Sequence, residues 1–235
     1  MIRYYKIPDK NPREIVLLKS RPCSWGRCFF CDYIHDNENS DDLNLFNFNS
    51  PILKNVTGEF GTLEVINSAN VFELPKKTLE EIREICNKTN IKRLFFESHY
   101  TFRHRLSEIR EFFDGIEIIF KCGVETFDDH FRNEILNKGM IIRNPEDVAE
   151  FFDSICLMVG IKGQTREMIK YDMEVLQKYF KRACINIYTQ NSTYFEEDDE
   201  LVEWFKENYS HLESNEGYEI LWKNTDFGVG GEFNE

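Results

Sequence analysis

Glu14-Ile15-Val16-Leu17-Leu18, then Lys19-Ser20-Arg21, then Pro22-Cys23-Ser24-Trp25-Gly26-Arg27-Cys28-Phe29-Phe30-Cys31, is the stretch that decides how this chain is read. The first part is a short apolar run with strand character. The second sets three cysteines at C-x4-C-x2-C spacing directly after that strand. Thiolates ligate both iron–sulfur clusters and zinc, so the spacing alone leaves two readings open. Cys23, Cys28 and Cys31 either hold an iron–sulfur cube with one iron left open, or join His35 in a tetrahedral Cys3His zinc site. A large α/β domain has little need of a metal staple, which weighs against zinc.

Outward from the loop, apolar runs alternate with amphipathic stretches. Strands are expected at Glu14–Leu18, Thr62–Asn67, Arg93–Glu97, Glu117–Val124, Ser154–Val159 and Ala183–Tyr188. Helices are expected at Thr78–Lys88, Leu106–Phe113, Asp128–Asn137, Pro145 to about Phe152, Arg166–Phe180 and Asp199–Asn208. Asp36 to Asn49, rich in Asn and Asp, reads as a loop. Strands separated by helices imply right-handed crossovers and a parallel sheet. Six units fit a doubly wound sheet or a partial barrel, and both gather chemistry at the carboxyl ends of the strands.

The chain has 235 residues with a formal net charge of −13, against the clustered positive charge that a duplex-binding surface needs. Nucleic acid is therefore a disfavoured partner. No signal peptide and no apolar run long enough for a membrane span are visible, which points to the cytoplasm. Seven cysteines are then not a disulfide framework, and Cys86, Cys122, Cys156 and Cys184 are expected as buried apolar residues. The acidic run Glu196 to Glu200 reads as a solvated loop entering a helix.

The cysteine loop resembles the signature of the radical S-adenosylmethionine (SAM) superfamily, with one extra residue in the first gap. The resemblance continues through Ile66-Asn67-Ser68-Ala69-Asn70, Gly123-Val124-Glu125-Thr126, and Val159-Gly160-Ile161-Lys162-Gly163-Gln164-Thr165. It selects an α/β partial (β/α)6 barrel with parallel strands as the expected fold, in a single domain whose closing segment, residues 209–235, covers the barrel mouth. It implies a 4Fe–4S cluster on Cys23, Cys28 and Cys31, whose open iron binds SAM and cleaves it reductively to a 5′-deoxyadenosyl radical. It places Phe30 against the adenine and implies further SAM contacts from Asn67, Ser68, Glu125, Thr126 and Gly160. A flavodoxin or ferredoxin is the implied electron donor.

Polar residues at strand ends are the candidates for acting on substrate. Glu97, Glu125 and Tyr188 are expected to be catalytic. His99, Asn186, Tyr188, Trp222, Asp226 and Phe227 are expected to bind substrate. A carboxylate such as Asp226 accepts paired N–H groups of a guanine-like ring, and aromatic faces stack on it. Small size and an acidic surface favour a free small molecule over tRNA or a protein; that it is of 7-deazaguanine type is what the resemblance implies. The short chain with its extended cysteine spacing resembles lyases of this superfamily that break a C–N bond in such a molecule. The rivals are a superfamily member acting on tRNA or a nucleoside, and a non-catalytic zinc module.

Overall fold

The computed structural model describes residues 2–37 and 39–223, which cluster into two compact units. Unit 1 comprises residues up to Gly26 and Tyr33–Lys121; unit 2 comprises Arg27–Asp32 and the chain from Cys122 onward.

In unit 1, β1 (Tyr4–Ile7) runs antiparallel to β2 (Arg13–Leu17). Then follow α1 (Asp42–Leu53), β3 (Thr62–Ile66), α2 (Lys76–Thr89), β4 (Arg93–Glu97), α3 (Leu106–Phe112) and β5 (Glu117–Glu125), whose last residues belong to unit 2. From β2 to β5 the pairing is parallel, with Ile15 beside Glu64, Glu64 beside Phe95, and Phe95 beside Ile119. The segment expected as a loop over Asp36–Asn49 instead forms most of α1. Asp41 caps it by accepting the N–H groups of Leu43 and Asn44 at 3.0 and 2.9 Å. Leu45, Asn49 and Leu53 then share one buried face. Buried Asn49 is satisfied by the N–H and carbonyl of Lys19, both at 2.8 Å, so a polar residue serves as a core position.

One face of this sheet carries charge inside. Glu64, 2% exposed, receives Arg13 Nε and Lys121 Nζ, each at 2.5 Å. Burial alone would push its carboxyl up, but Lys121 and Arg13 outweigh that and hold it at about 2.

Unit 2 continues from β5 through a π-helical turn at Phe131–Ile135, α4 (Pro145–Ala149), β6 (Ser154–Val159), α5 (Arg166–Tyr179), β7 (Arg182–Ile187), α6 (Asp199–Tyr209) and β8 (Tyr218–Leu221). β6, β7 and β8 are parallel, with Met158 beside Asn186 and Asn186 beside Leu221. The helix expected over Asp128–Asn137 forms over residues 129–135, wound as π-helix from Phe131 to Ile135, with Arg132, 1% exposed, carrying its guanidinium inside. It donates to the carbonyls of Thr126 and Met140 and pairs with Asp129. Members of the acidic run have separate roles. Glu196 pairs with Lys162, Glu197 accepts the N–H of Gln190, and Asp198 caps α6 at Leu201. Cys86, Cys122, Cys156 and Cys184 are all buried, as expected. No helix among the described residues is long and apolar enough to cross a membrane.

Truncating Glu64 to Ala leaves two buried cations facing each other, with an expected loss of about 3–5 kcal/mol in urea denaturation. A loss below about 1 kcal/mol, the level of an exposed pair, would contradict this reading of the sheet interior.

Candidate active site

In unit 1 the cysteine loop leaves β2 under tight control. The N–H of Leu18 donates to the Ile66 carbonyl, and the buried Ser20 hydroxyl reaches the Asn67 carbonyl at 3.1 Å. Asn37 then bridges loop and strand end: its Oδ1 accepts the N–H of Cys23 at 3.2 Å and its Nδ2 donates to the Ser68 carbonyl at 3.1 Å. Glu73, 5% exposed, takes both the N–H and the hydroxyl of Ser24 on Oε1 and the N–H of Asn70 on Oε2. Gly26 sits at φ +54, where an added Cβ would lie 2.9 Å from the Cys23 carbonyl, and its N–H approaches Cys23 Sγ at 3.4 Å.

Cys23, Cys28 and Cys31 are in no disulfide and are half-buried. Cys23 lies in unit 1, Cys28 and Cys31 in unit 2. Among the described residues, no three His, Cys, Asp or Glu side chains are grouped to hold a single metal ion. Three soft thiols, with the Gly26 N–H turned toward Cys23 Sγ, are the donor set of an iron–sulfur cluster, and the residues fit that group. Asn67 is fully buried; its Nδ2 donates to the Asn70 carbonyl at 2.8 Å while its Oδ1 has no hydrogen-bond partner. Ser68 follows in the left-handed region at φ 51. An orphaned acceptor beside such a turn suits a guest amino group.

Glu97 ends β4, half-buried and in register with Lys121 of β5. His99 stacks on Trp25 with centroids 6.0 Å apart and 16° between planes. Its Nδ1 accepts the Thr101 N–H at 3.3 Å, so the neutral ring carries its proton on Nε2.

In unit 2 the other half of the loop is held as firmly. Asn137 Nδ2 donates to the Arg27 carbonyl at 2.7 Å, the Phe29 N–H donates to the Leu136 carbonyl at 3.0 Å, and Asn191 Nδ2 donates to the Phe30 carbonyl at 2.8 Å. The Phe30 ring packs against the cluster of Phe131, Leu136, Met158, Ile161, Tyr188 and Phe195. Tyr188, 5% exposed, donates its hydroxyl to Asn191 Oδ1 at 3.3 Å and so braces the residue that holds Phe30.

Glu125 stands at φ 67, a strained conformation for a residue with a side chain, and pairs with Lys138 Nζ at 2.6 Å. Lys138 lies 5.3 Å over the Phe30 ring. Burial works against its charge, but Glu125, together with thiolate charge on Cys28 and Cys31, outweighs that and holds its pKa above the usual lysine value. The Thr126 hydroxyl is committed to buried Asp172 and to the N–H of Asp128. Gly160, at φ +90, is required by packing: a Cβ there would meet Val202 Cγ2 at 2.3 Å. Asn186 accepts from Cys184 Sγ at 3.5 Å. Trp222 donates to Glu213 at 2.9 Å and tilts against Phe205 at 6.0 Å, contacts that engage its ring. Asp226 and Phe227 lie outside the described residues.

Sequence reasoning missed Asn37, Glu73, Lys138, Asp172 and Asn191. Only Glu73 carried a local signal: Asn70 to Glu73 has the spacing of a capping box, and the box forms.

No protein-family model matches the chain, and no curated protein matches it. Among solved structures, the queuine lyase from Clostridium spiroforme bound to SAM and queuine is 51% identical, with a TM-score of 0.94 over 98% of this chain and 100% of that one. Streptococcus suis SuiB, 13% identical over 88% of this chain and 48% of its own length, aligns at a TM-score of 0.52 and shares the fold. Its SAM-bound structure aligns at 0.54, with 12% identity over 88% of this chain and 46% of that chain.

Asp172 supplies a pH test of the Thr126 turn. Burial raises its carboxyl to about 7, despite the Phe127 N–H at 2.6 Å and the Thr126 hydroxyl, whereas the unfolded group titrates near 3.8. Between those values the folded chain keeps a proton that the unfolded chain has released, so stability falls as pH rises and levels off above about 7. Asp172→Asn keeps an acceptor for Phe127 and removes the ionisation. Its melting temperature relative to the parent protein is expected to rise from pH 5 to pH 8; parallel curves would refute the assignment.

Proposed function

The chain belongs to the queuine lyase family of radical SAM enzymes, and on that premise we propose that it breaks the C–N bond of queuine to release the 7-deazaguanine preQ1. The observation that carries this is the 51% identity and TM-score of 0.94 with a queuine lyase over essentially both full chains. When bound, the 4Fe–4S cluster and SAM supply a 5′-deoxyadenosyl radical that abstracts hydrogen from the substrate.

The roles assigned to this chain's residues are our own. Cys23, Cys28 and Cys31 ligate the cluster and leave one iron for SAM. The orphaned Oδ1 of Asn67, with Ser68 in its left-handed turn, receives the SAM amino group. Phe30 would contact the adenine; Asn191 holds its backbone and its apolar neighbours pack against its ring. Glu125 contacts the cofactor from its strained position, while Thr126 and Gly160 shape the turns beneath it. Glu97 and Glu125 hold or move protons as the amine leaves, and Tyr188 orients this wall of the site. His99, with its Nε2–H, joins Asn186, Trp222, Asp226 and Phe227 in holding the substrate, the last three within the closing segment 209–235 of the single domain. A flavodoxin or ferredoxin delivers the electron, and the substrate is a free small molecule rather than a nucleic acid.

Reconstituted protein incubated anaerobically with reductant, SAM and queuine is expected to yield 5′-deoxyadenosine and preQ1 by mass spectrometry. Cys31→Ala should reduce both at least a hundredfold. Formation of 5′-deoxyadenosine with no preQ1 would overturn the substrate and leave the reaction class standing. For Asp226→Asn, substrate affinity should weaken; an unchanged KM for queuine would remove Asp226 from the site.

A further inference from the structure

A positive charge is built in beside two of the cysteines, Cys28 and Cys31. Lys138 is 12% exposed at its side chain and is held by Glu125 at 2.6 Å, whose own side chain is 10% exposed. Room for the pair exists because position 123 is glycine: a Cβ there would come within 2.8 Å of Glu125 Oε1 and 3.1 Å of Lys138 Nζ. Glu125 holds the ammonium from a backbone at φ 67, a strained conformation for a non-glycine residue. The ammonium is also fixed relative to the cysteines. Asn137 bonds the Arg27 carbonyl and Leu136 accepts from Phe29, so the backbone leading into Lys138 is stitched to both neighbours of Cys28. Phe30, just before Cys31, lies 5.3 Å beneath the ammonium.

We infer that Lys138 is a tuning residue, whose charge, moderated by Glu125, raises the reduction potential of the cluster held by Cys28 and Cys31. The inference rests on the radical SAM reading of the loop. A cluster becomes more negative on reduction, so a nearby cation at low dielectric favours the reduced state. Removing the cation makes reduction harder. Removing its carboxylate partner frees the cation's field and makes reduction easier. A role confined to packing has no reason to move the two variants in opposite directions.

The test is a redox titration of the reconstituted protein without SAM, followed by the electron paramagnetic resonance signal of the reduced cluster. Iron and sulfide are assayed in every sample. Lys138→Met is expected to shift the midpoint to more negative potential, Lys138→Arg to keep it, and Glu125→Gln to shift it to more positive potential. If Lys138→Met loses iron, the Glu125→Gln shift decides alone. A parent protein with full iron and sulfide whose midpoint is unmoved, or moved the same way by both charge-removing variants, overturns the inference and leaves the radical reading intact. A parent protein that takes up no iron and sulfide overturns both.

Discussion

Three thiols on a nine-residue loop serve one guest only if the backbone between them is fixed, and this chain fixes it with amides and carboxylates from outside the loop. Asn37 and Glu73 hold Cys23 and Ser24, while Asn137, Leu136 and Asn191 hold Arg27, Phe29 and Phe30. Each bond is modest alone, about 1 kcal/mol net. Within each unit they hold that unit's part of the loop in a set conformation, and Gly26 at φ +54 accommodates the bend at the end of the first part. The entropy of ordering the loop is thereby lost in folding rather than in binding cofactor.

The same reliance on fixed partners appears in how the sheet treats charge. Glu64 gathers Arg13 and Lys121 so that three ionised groups can face the interior of unit 1. In unit 2, Glu125 and Lys138 repeat the pattern with one pair, and Arg132 repeats it with backbone carbonyls as partners. A dry interior suits radical chemistry because little is present to quench the reactive species. Buried charge within it persists only with partners, and the strain at Glu125 marks where a pairing is kept against the backbone's own preference.

Much of this is legible in the sequence because the strands are continuous apolar runs: β2, β6 and most of β3, β4, β5 and β7 are buried along their length, a pattern that survives without knowledge of neighbours. α1 is hidden because its buried face includes Asn49, whose burial makes sense only beside the Lys19 backbone. The π turn is hidden because buried Arg132 looks like an ordinary surface arginine in sequence. β1 and β8, four residues each, are too short to declare themselves. Within the site, residues next to glycines and cysteines are legible. Those acting through one long side chain, Lys138 above all, depend on contacts thirteen or more positions away.

The central claim is that this loop holds an iron–sulfur cube with one iron open to SAM. Its most direct measurement is metal and sulfide analysis of anaerobically reconstituted protein, joined to the electron paramagnetic resonance spectrum of the reduced form before and after SAM is added. The account predicts about four iron and four sulfide per chain and a spectrum that changes on adding SAM. One zinc without sulfide, or a cluster spectrum indifferent to SAM, would contradict it.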